Sequence, residues 1–247
     1  ETRNKIFIKM SEGKKEILLG DCIDLMRSFE TESIDLCVTD PPYKLTSGGK
    51  VNKIWGGVFK KETYNNSGLL FEVPLPIDWM KEVYRVLKNG THFYCFINDK
   101  NLGDFLNAGI KSGFDLHNIL VMKKDTHTPN RWYLKNCEYI LFFKKGKAKN
   151  INNMGTTTVI DVKMPKNKIH PSEKPVYIYD VLIKNSSNEN ELCLDPFGGS
   201  GTIIESCLKN NRQFIAIEKD PNHFEKMKRR GDFNKNFEQK TLFGNEM

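Results

Sequence analysis

Short runs rich in β-branched and aromatic residues recur along this chain, separated by segments whose apolar residues fall at helical spacing. That alternation constrains the fold more than any other feature. It predicts an α/β architecture, a mostly parallel sheet with helices on both faces. Strands are expected at 16–19, 34–39, 92–97, 118–122, 137–143, 191–194 and 213–217. Between them, Ile77, Met80, Tyr84 and Leu87 share one face of a helix over 77–88, with Asn89-Gly90 as its stop. Further helices are expected at 202–210 and at 221–230, where proline opens the first turn and basic residues close the last. Two stretches, 44–76 and 145–168, break the periodicity and read as excursions from one domain spanning 1–247.

Composition narrows the class. Hydrophobic residues make up 38% of the 247 positions, too many core formers for a disordered chain. Lys and Arg number 38 against 31 Asp and Glu, giving a formal charge of +7 that permits a nucleic-acid partner without demanding one. The six cysteines occur singly, most inside apolar runs, so neither a zinc site nor a disulfide scaffold is expected. No apolar stretch is long enough for a membrane span, and the N-terminal ETRNKIFIKM lacks the apolar core of a signal peptide. A reduced, cytoplasmic protein is the expectation.

Two motifs carry chemistry. Thr39-Asp40-Pro41-Pro42-Tyr43 follows an expected strand, so Asp40 stands where open α/β sheets bind ligands. Pro41 and Pro42 stiffen the turn and remove two N–H donors, leaving carbonyl acceptors beside the flat face of Tyr43. Two acceptors next to a ring face suit an exocyclic amine on adenine or cytosine. Asp40 and the Pro41 carbonyl would each take one amine proton, drawing the nitrogen lone pair out of the ring while Tyr43 stacks on the base. An ordinary Asp-Pro turn explains the same residues without function. The second motif, Leu194-Asp195-Pro196-Phe197-Gly198-Gly199-Ser200-Gly201-Thr202, is again strand, glycine turn and helix. It lacks the Lys-Ser/Thr of a phosphate-binding P-loop and suits an amino-acid carboxylate better than a triphosphate. The next strand ends at Glu218, placed as an acid that holds ribose hydroxyls in such units; a tight connection with a surface Glu is the bland alternative.

Two weaker features complete the set. His170-Pro171-Ser172-Glu173-Lys174-Pro175 precedes a helical segment, and His170 has no nearby partner that would make it a metal ligand. Asp21, in Leu19-Gly20-Asp21-Cys22, reads first as a helix N-cap.

Together these residues resemble the bacterial amino-DNA methyltransferases that use S-adenosylmethionine. TDPPY looks like their catalytic motif, LDPFGGSGT like their methionine-binding turn and HPSEKP like their H-P-[ST]-x-K-P signature. With the catalytic motif ahead of the cofactor turn, the order is the circularly permuted one of the β class. The resemblance implies a Rossmann-like methyltransferase fold with a mostly parallel seven-stranded sheet. It assigns Asp40, Pro41, Pro42 and Tyr43 to catalysis. Asp21, Cys22, Lys174, Asp195, Phe197, Gly198, Gly199, Ser200, Gly201, Thr202 and Glu218 would bind the cofactor, with Lys174 at its carboxylate and Asp21 and Cys22 at its adenine. The family's aromatic W-x-K position falls on Met122, a departure.

The activity so implied is methyl transfer to N6 of an adenine flipped out of double-stranded DNA, as in restriction-modification systems. Alternatives are cytosine N4, RNA or a protein amide, and a non-catalytic DNA-binding subunit is the reading from a different class. A homodimer and a cognate restriction endonuclease are the implied partners. Lys123, Lys124, Arg131, Lys145 and Lys147 are the expected phosphate contacts, with the excursions at 44–76 and 145–168 available for target recognition.

Overall fold

The computed structural model describes residues 6–10, 13–42, 73–128, 132–164, 174–230 and 237–241. In chain order the elements are β1 (Ile6–Met10), β2 (Lys15–Leu19), α1 (Cys22–Met26), β3 (Ile34–Thr39), α2 (Pro76–Val86), β4 (Leu87–Ile97), α3 (Leu102–Lys111) and β5 (Asp115–Thr128). Then come β6 (Lys135–Lys144), β7 (Val159–Val162), α4 (Val176–Ser186), β8 (Leu192–Asp195), α5 (Thr202–Lys209), β9 (Gln213–Glu218), α6 (Pro221–Arg229) and β10 (Phe237–Thr241).

The strands form one sheet ordered β10-β1-β2-β9-β8-β3-β4-β6-β5-β7. Its seven central strands, β2 to β5 in that order, are the expected ones, parallel except for β6. The sequence reading lacks the three edge strands β1, β10 and β7. Alternation along the central strands feeds two cores at once. In β4, Tyr94 and Phe96 join the core with α4, α5 and α6, whereas Phe93, Cys95 and Ile97 join that with α1, α2 and α3. Burial on both faces is why these strands read as unbroken apolar runs.

The helix expected over 77–88 ends at Val86. Leu87 turns extended (ψ 136°), is fully buried and pairs with Ile34, so core packing draws it into β4. Asn89-Gly90, expected as the stop, sits inside that strand with Gly90 at φ +84°.

The first excursion lies almost wholly outside the described residues. The second is not a single excursion. Asn152 donates from Nδ2 to the carbonyls of Lys184 and Ser187, tying this stretch to the end of α4. β7 then runs back along the sheet, parallel to β5.

Candidate active site

β3 and β8 are neighbours at the centre of the sheet. The chain leaves β3 for α2 on one face and leaves β8 for α5 on the other, which opens a crevice at the carboxyl ends of these two strands. Asp40 and Asp195 stand there. Thr39 Oγ donates to Asp195 Oδ1 at 2.6 Å, and the Phe197 N–H donates to the same oxygen at 3.0 Å. Burial pushes the Asp195 carboxyl up to about 7 against these two hydrogen bonds.

The glycine turn between β8 and α5 is clamped to β9. The Gly198 N–H donates to the Ile217 carbonyl at 2.7 Å, and the Gly199 N–H to the Glu218 carboxylate at 2.9 Å. A Cβ on Gly198 would lie 2.6 Å from Met227 Sδ, so a side chain here would push α6 off the turn. Gly199 is left-handed (φ +51°), and a Cβ there would meet nothing nearer than the Phe197 carbonyl oxygen at 3.7 Å. The Phe197 ring packs edge-on against Trp79 at 5.1 Å. Ser200 and Thr202 hydroxyls lie 3.2 Å apart, and the Thr202 hydroxyl is 3.5 Å from the Lys174 carbonyl.

The second oxygen of Glu218 accepts from the Lys219 and Asp220 N–H groups, both at 2.8 Å. Burial raises this carboxyl despite those bonds. Asp21 caps α1 by accepting from the Ile23 and Asp24 N–H groups. Burial works to raise its carboxyl, but Lys219, 3.0 Å away, and the capping bonds outweigh burial and hold it low. Cys22 is buried beside it, its thiol pushed up to about 12 by burial and the Asp21 charge.

Lys174 approaches Asp40 from the segment before α4, with Nζ 2.5 Å from Asp40 Oδ2 and 3.1 Å from Glu138 Oε2 on β6. Lys124 on β5 holds the other Glu138 oxygen at 3.1 Å. Burial would raise the Glu138 carboxyl, yet the two ammonium groups hold it down at about 2. Asp40 moves the other way: burial raises it, Glu138 adds to the rise, and Lys174 only partly opposes. Asp40 Oδ1 is buried and, among the described residues, has no hydrogen-bond partner. A buried acceptor without a donor is costly and calls for an explanation.

Asp21, Cys22, Asp40, Asp195, the 197–202 turn and Glu218 thus gather at the carboxyl ends of β2, β3, β8 and β9. Pro41 is buried and Pro42 half-buried, while Tyr43 and Arg131 lie outside the described residues. Several of the expected site residues have partners within the protein. Lys174, expected at a cofactor carboxylate, has its buried ammonium on the partly buried carboxylates of Asp40 and Glu138, which supply the counter-charge it needs. Lys124, expected at DNA phosphate, is pinned to Glu138 with 13% of its side chain exposed.

Lys145 is also buried, its Nζ donating to the Tyr84 and Leu87 carbonyls and pairing with Glu32 at 3.1 Å. Lys147 is exposed, but it follows β6 at the amino ends of the parallel strands. Those ends are roughly 15 Å from Asp40 at about 3.3 Å per residue, because β6 runs antiparallel. Lys123 is half exposed, near the middle of β5, paired with Asp161 at 3.0 Å. Met122 is wholly buried in the core. Thr39 and Glu138 are the residues the sequence reading missed. Thr39 adjoins a recognised motif, but Glu138 is one carboxylate entering an apolar run and gives no local signal.

Among the described residues no group of three or more His, Cys, Asp and Glu side chains could hold a metal, and no helix is long and apolar enough to cross a membrane. Known DNA methylases resemble this chain. The family model described as "DNA methylase" matches residues 34–229. The chain is 30% identical to the putative methylase YubD of Escherichia coli strain K12 over 206 residues, covering 81% of this chain and 82% of that one. It is 26% identical to the DNA adenine methyltransferase YhdJ of the same strain, covering 83% and 78%. Among solved structures, the cytosine-N4-specific PvuII DNA methyltransferase shares the fold with a TM-score of 0.69 at 17% identity, covering 89% of this chain and 86% of that one.

Proposed function

The chain belongs to the DNA methylase family, and from that premise we propose that it methylates the exocyclic N6 amine of an adenine flipped out of double-stranded DNA. The observation that carries this reading is the buried Oδ1 of Asp40, without a partner among the described residues, at the sheet's crossover point just past the strand beside the glycine turn. An amine with two protons is the complementary donor. Asp40 Oδ1 takes one proton in a hydrogen bond and the Pro41 carbonyl the other, so the nitrogen gains sp³ character and its lone pair is freed. Asp40 must be ionised to accept, and since burial raises it, transfer fails as pH falls. Tyr43 would stack on the extruded base. A base within the duplex could not reach Asp40, and extrusion costs a few kcal/mol.

S-adenosylmethionine supplies the electrophilic methyl when bound. The donor set suits it: Glu218 offers carboxylate oxygens for ribose hydroxyls, the Gly199 turn is open on one side, and Asp21 and Cys22 flank the end of β2. The adenine reading draws on the acid that opens the Asp40 motif and on the name of the relative YhdJ.

The test is incubation with methyl-labelled S-adenosylmethionine and duplex DNA, then digestion to nucleosides. Label in N6-methyladenine supports the reading. Label in N4-methylcytosine replaces the target base, and label only in RNA or protein overturns the substrate class.

A further inference from the structure

Asp40 is the end of an alternating row of charges drawn from four separate segments. Lys124 on β5 holds Glu138 on β6, Glu138 holds Lys174, and Lys174 holds Asp40. The side chains of Lys124, Glu138, Lys174 and Asp40 are 13%, 23%, 6% and 22% exposed, so the row is largely shielded from solvent. Buried charges persist only when paired, and each interior member here has an opposite charge on both sides.

Lys174 could hold Asp40 alone, but a lysine stem has four rotatable bonds and one carboxylate would leave the ammonium free to swing. Two carboxylates on different elements fix it. The Phe96 ring, 5.6 Å below the ammonium, closes another side. With Lys174 fixed on Oδ2, the carboxylate plane is set and Oδ1 is the oxygen left for a donor.

We propose that Glu138 is a positioning residue for the reaction: acting through Lys174, it orients Asp40 and limits how strongly Lys174 stabilises the charged carboxylate, keeping Oδ1 a good acceptor for the target amine. This rests on the reading of Asp40 as the amine acceptor. The electrostatic half follows from Brønsted behaviour, since lowering a carboxylate weakens it as a proton acceptor. Lys174 alone would pull Asp40 down, and the Glu138 charge offsets that pull.

The other groups facing Asp40 do not replace this role. Cys95 on β4 and Tyr179 on α4 are both pushed well above their ordinary values by burial and are neutral. Asp195 on β8 titrates near 7, but the charges that raise it are Asp40 and Glu218, not Glu138. A change at Glu138 therefore reports on Asp40.

The experiment follows the carboxyl carbon of Asp40 by NMR against pH, in full-length protein carrying ¹³C-labelled aspartate, with Asp40→Asn assigning the signal. Glu138→Gln keeps the side-chain shape and removes the charge, so the Asp40 midpoint is expected to fall by roughly half a unit or more. Glu138→Asp restores the charge and is expected to return the midpoint toward the wild type. Lys124→Gln leaves Glu138 less compensated and is expected to move the midpoint upward, an opposite sign that also serves if Glu138→Gln fails to fold.

In methylation assays on duplex DNA, Glu138→Gln is expected to shift the acid limb of kcat/KM to lower pH and reduce kcat about tenfold, with KM for the methyl donor unchanged. A midpoint that stays fixed or moves the other way overturns the positioning role. Midpoints that shift as stated in a protein that methylates no nucleic acid overturn the functional reading and leave the charge row standing.

Discussion

The two ends of this sheet treat buried charge differently. At the amino ends of the parallel strands, Lys145 is satisfied by two carbonyls and Glu32. Arg212, just before β9, donates to the Ser187 and Asn210 carbonyls and to the Ser187 hydroxyl. At the carboxyl ends, Asp40 keeps an oxygen without a donor among the described residues, and burial raises Asp40, Asp195 and Glu218. Among the described residues, the amino end holds no buried polar side chain that lacks a partner. The other holds carboxylates in a state that a ligand would relieve, and perturbed carboxylates in a crevice are what an active site requires.

The sharpest way to break this comparison is Asp40→Ala. It is expected to lower methyl transfer by ~10³-fold or more, with donor affinity in calorimetry nearly unchanged; equal loss of both would move Asp40 into the cofactor site.

Next is the pH dependence of stability. The folded Asp195 carboxyl lies at about 7, above its value of 3.8 in an unfolded chain, so the folded state binds more protons between those values. Stability therefore falls as pH rises from about 4 to 7 and levels off above, by at most about 4 kcal/mol at 1.36 kcal/mol per unit. Denaturant melts of Asp195→Asn against pH should flatten in that window.

At the opposite end, Lys145→Met leaves the Tyr84 and Leu87 carbonyls and Glu32 without their donor. A loss of about 1–3 kcal/mol in denaturation is expected, with kcat unchanged; a large kcat loss would show that the two ends are coupled. The smallest effect separates two exposed lysines. Lys123→Ala is expected to weaken DNA binding and reduce the salt slope by about 1, whereas Lys147→Ala leaves the slope alone. The reverse result would put the duplex at the other end of the sheet.

How much of this was legible depended on distance along the chain. The glycine turn, the Asp40 motif and Glu218 were readable because each joins a strand end to a turn within a few residues, and local chemistry limits what such a turn can do. The helix stop at Asn89-Gly90 misled because burial of Leu87 against Ile34 outweighed the local signal. The partners of the lysines were not legible for a similar reason. Lys123 and Lys124 are adjacent, yet a strand sends neighbours to opposite faces, and only Lys124 meets Glu138.

The sequence by itself determined the seven central strands, the carboxylates at their ends and the glycine connection, since periodicity and turn chemistry are short-range properties. Only the tertiary structure decided which charges are buried partners and which face solvent. That choice follows from the antiparallel course of β6, which carries Glu138 to one end of the sheet and Lys145 to the other. Strand direction is fixed by packing across the whole sheet, and no local pattern records it.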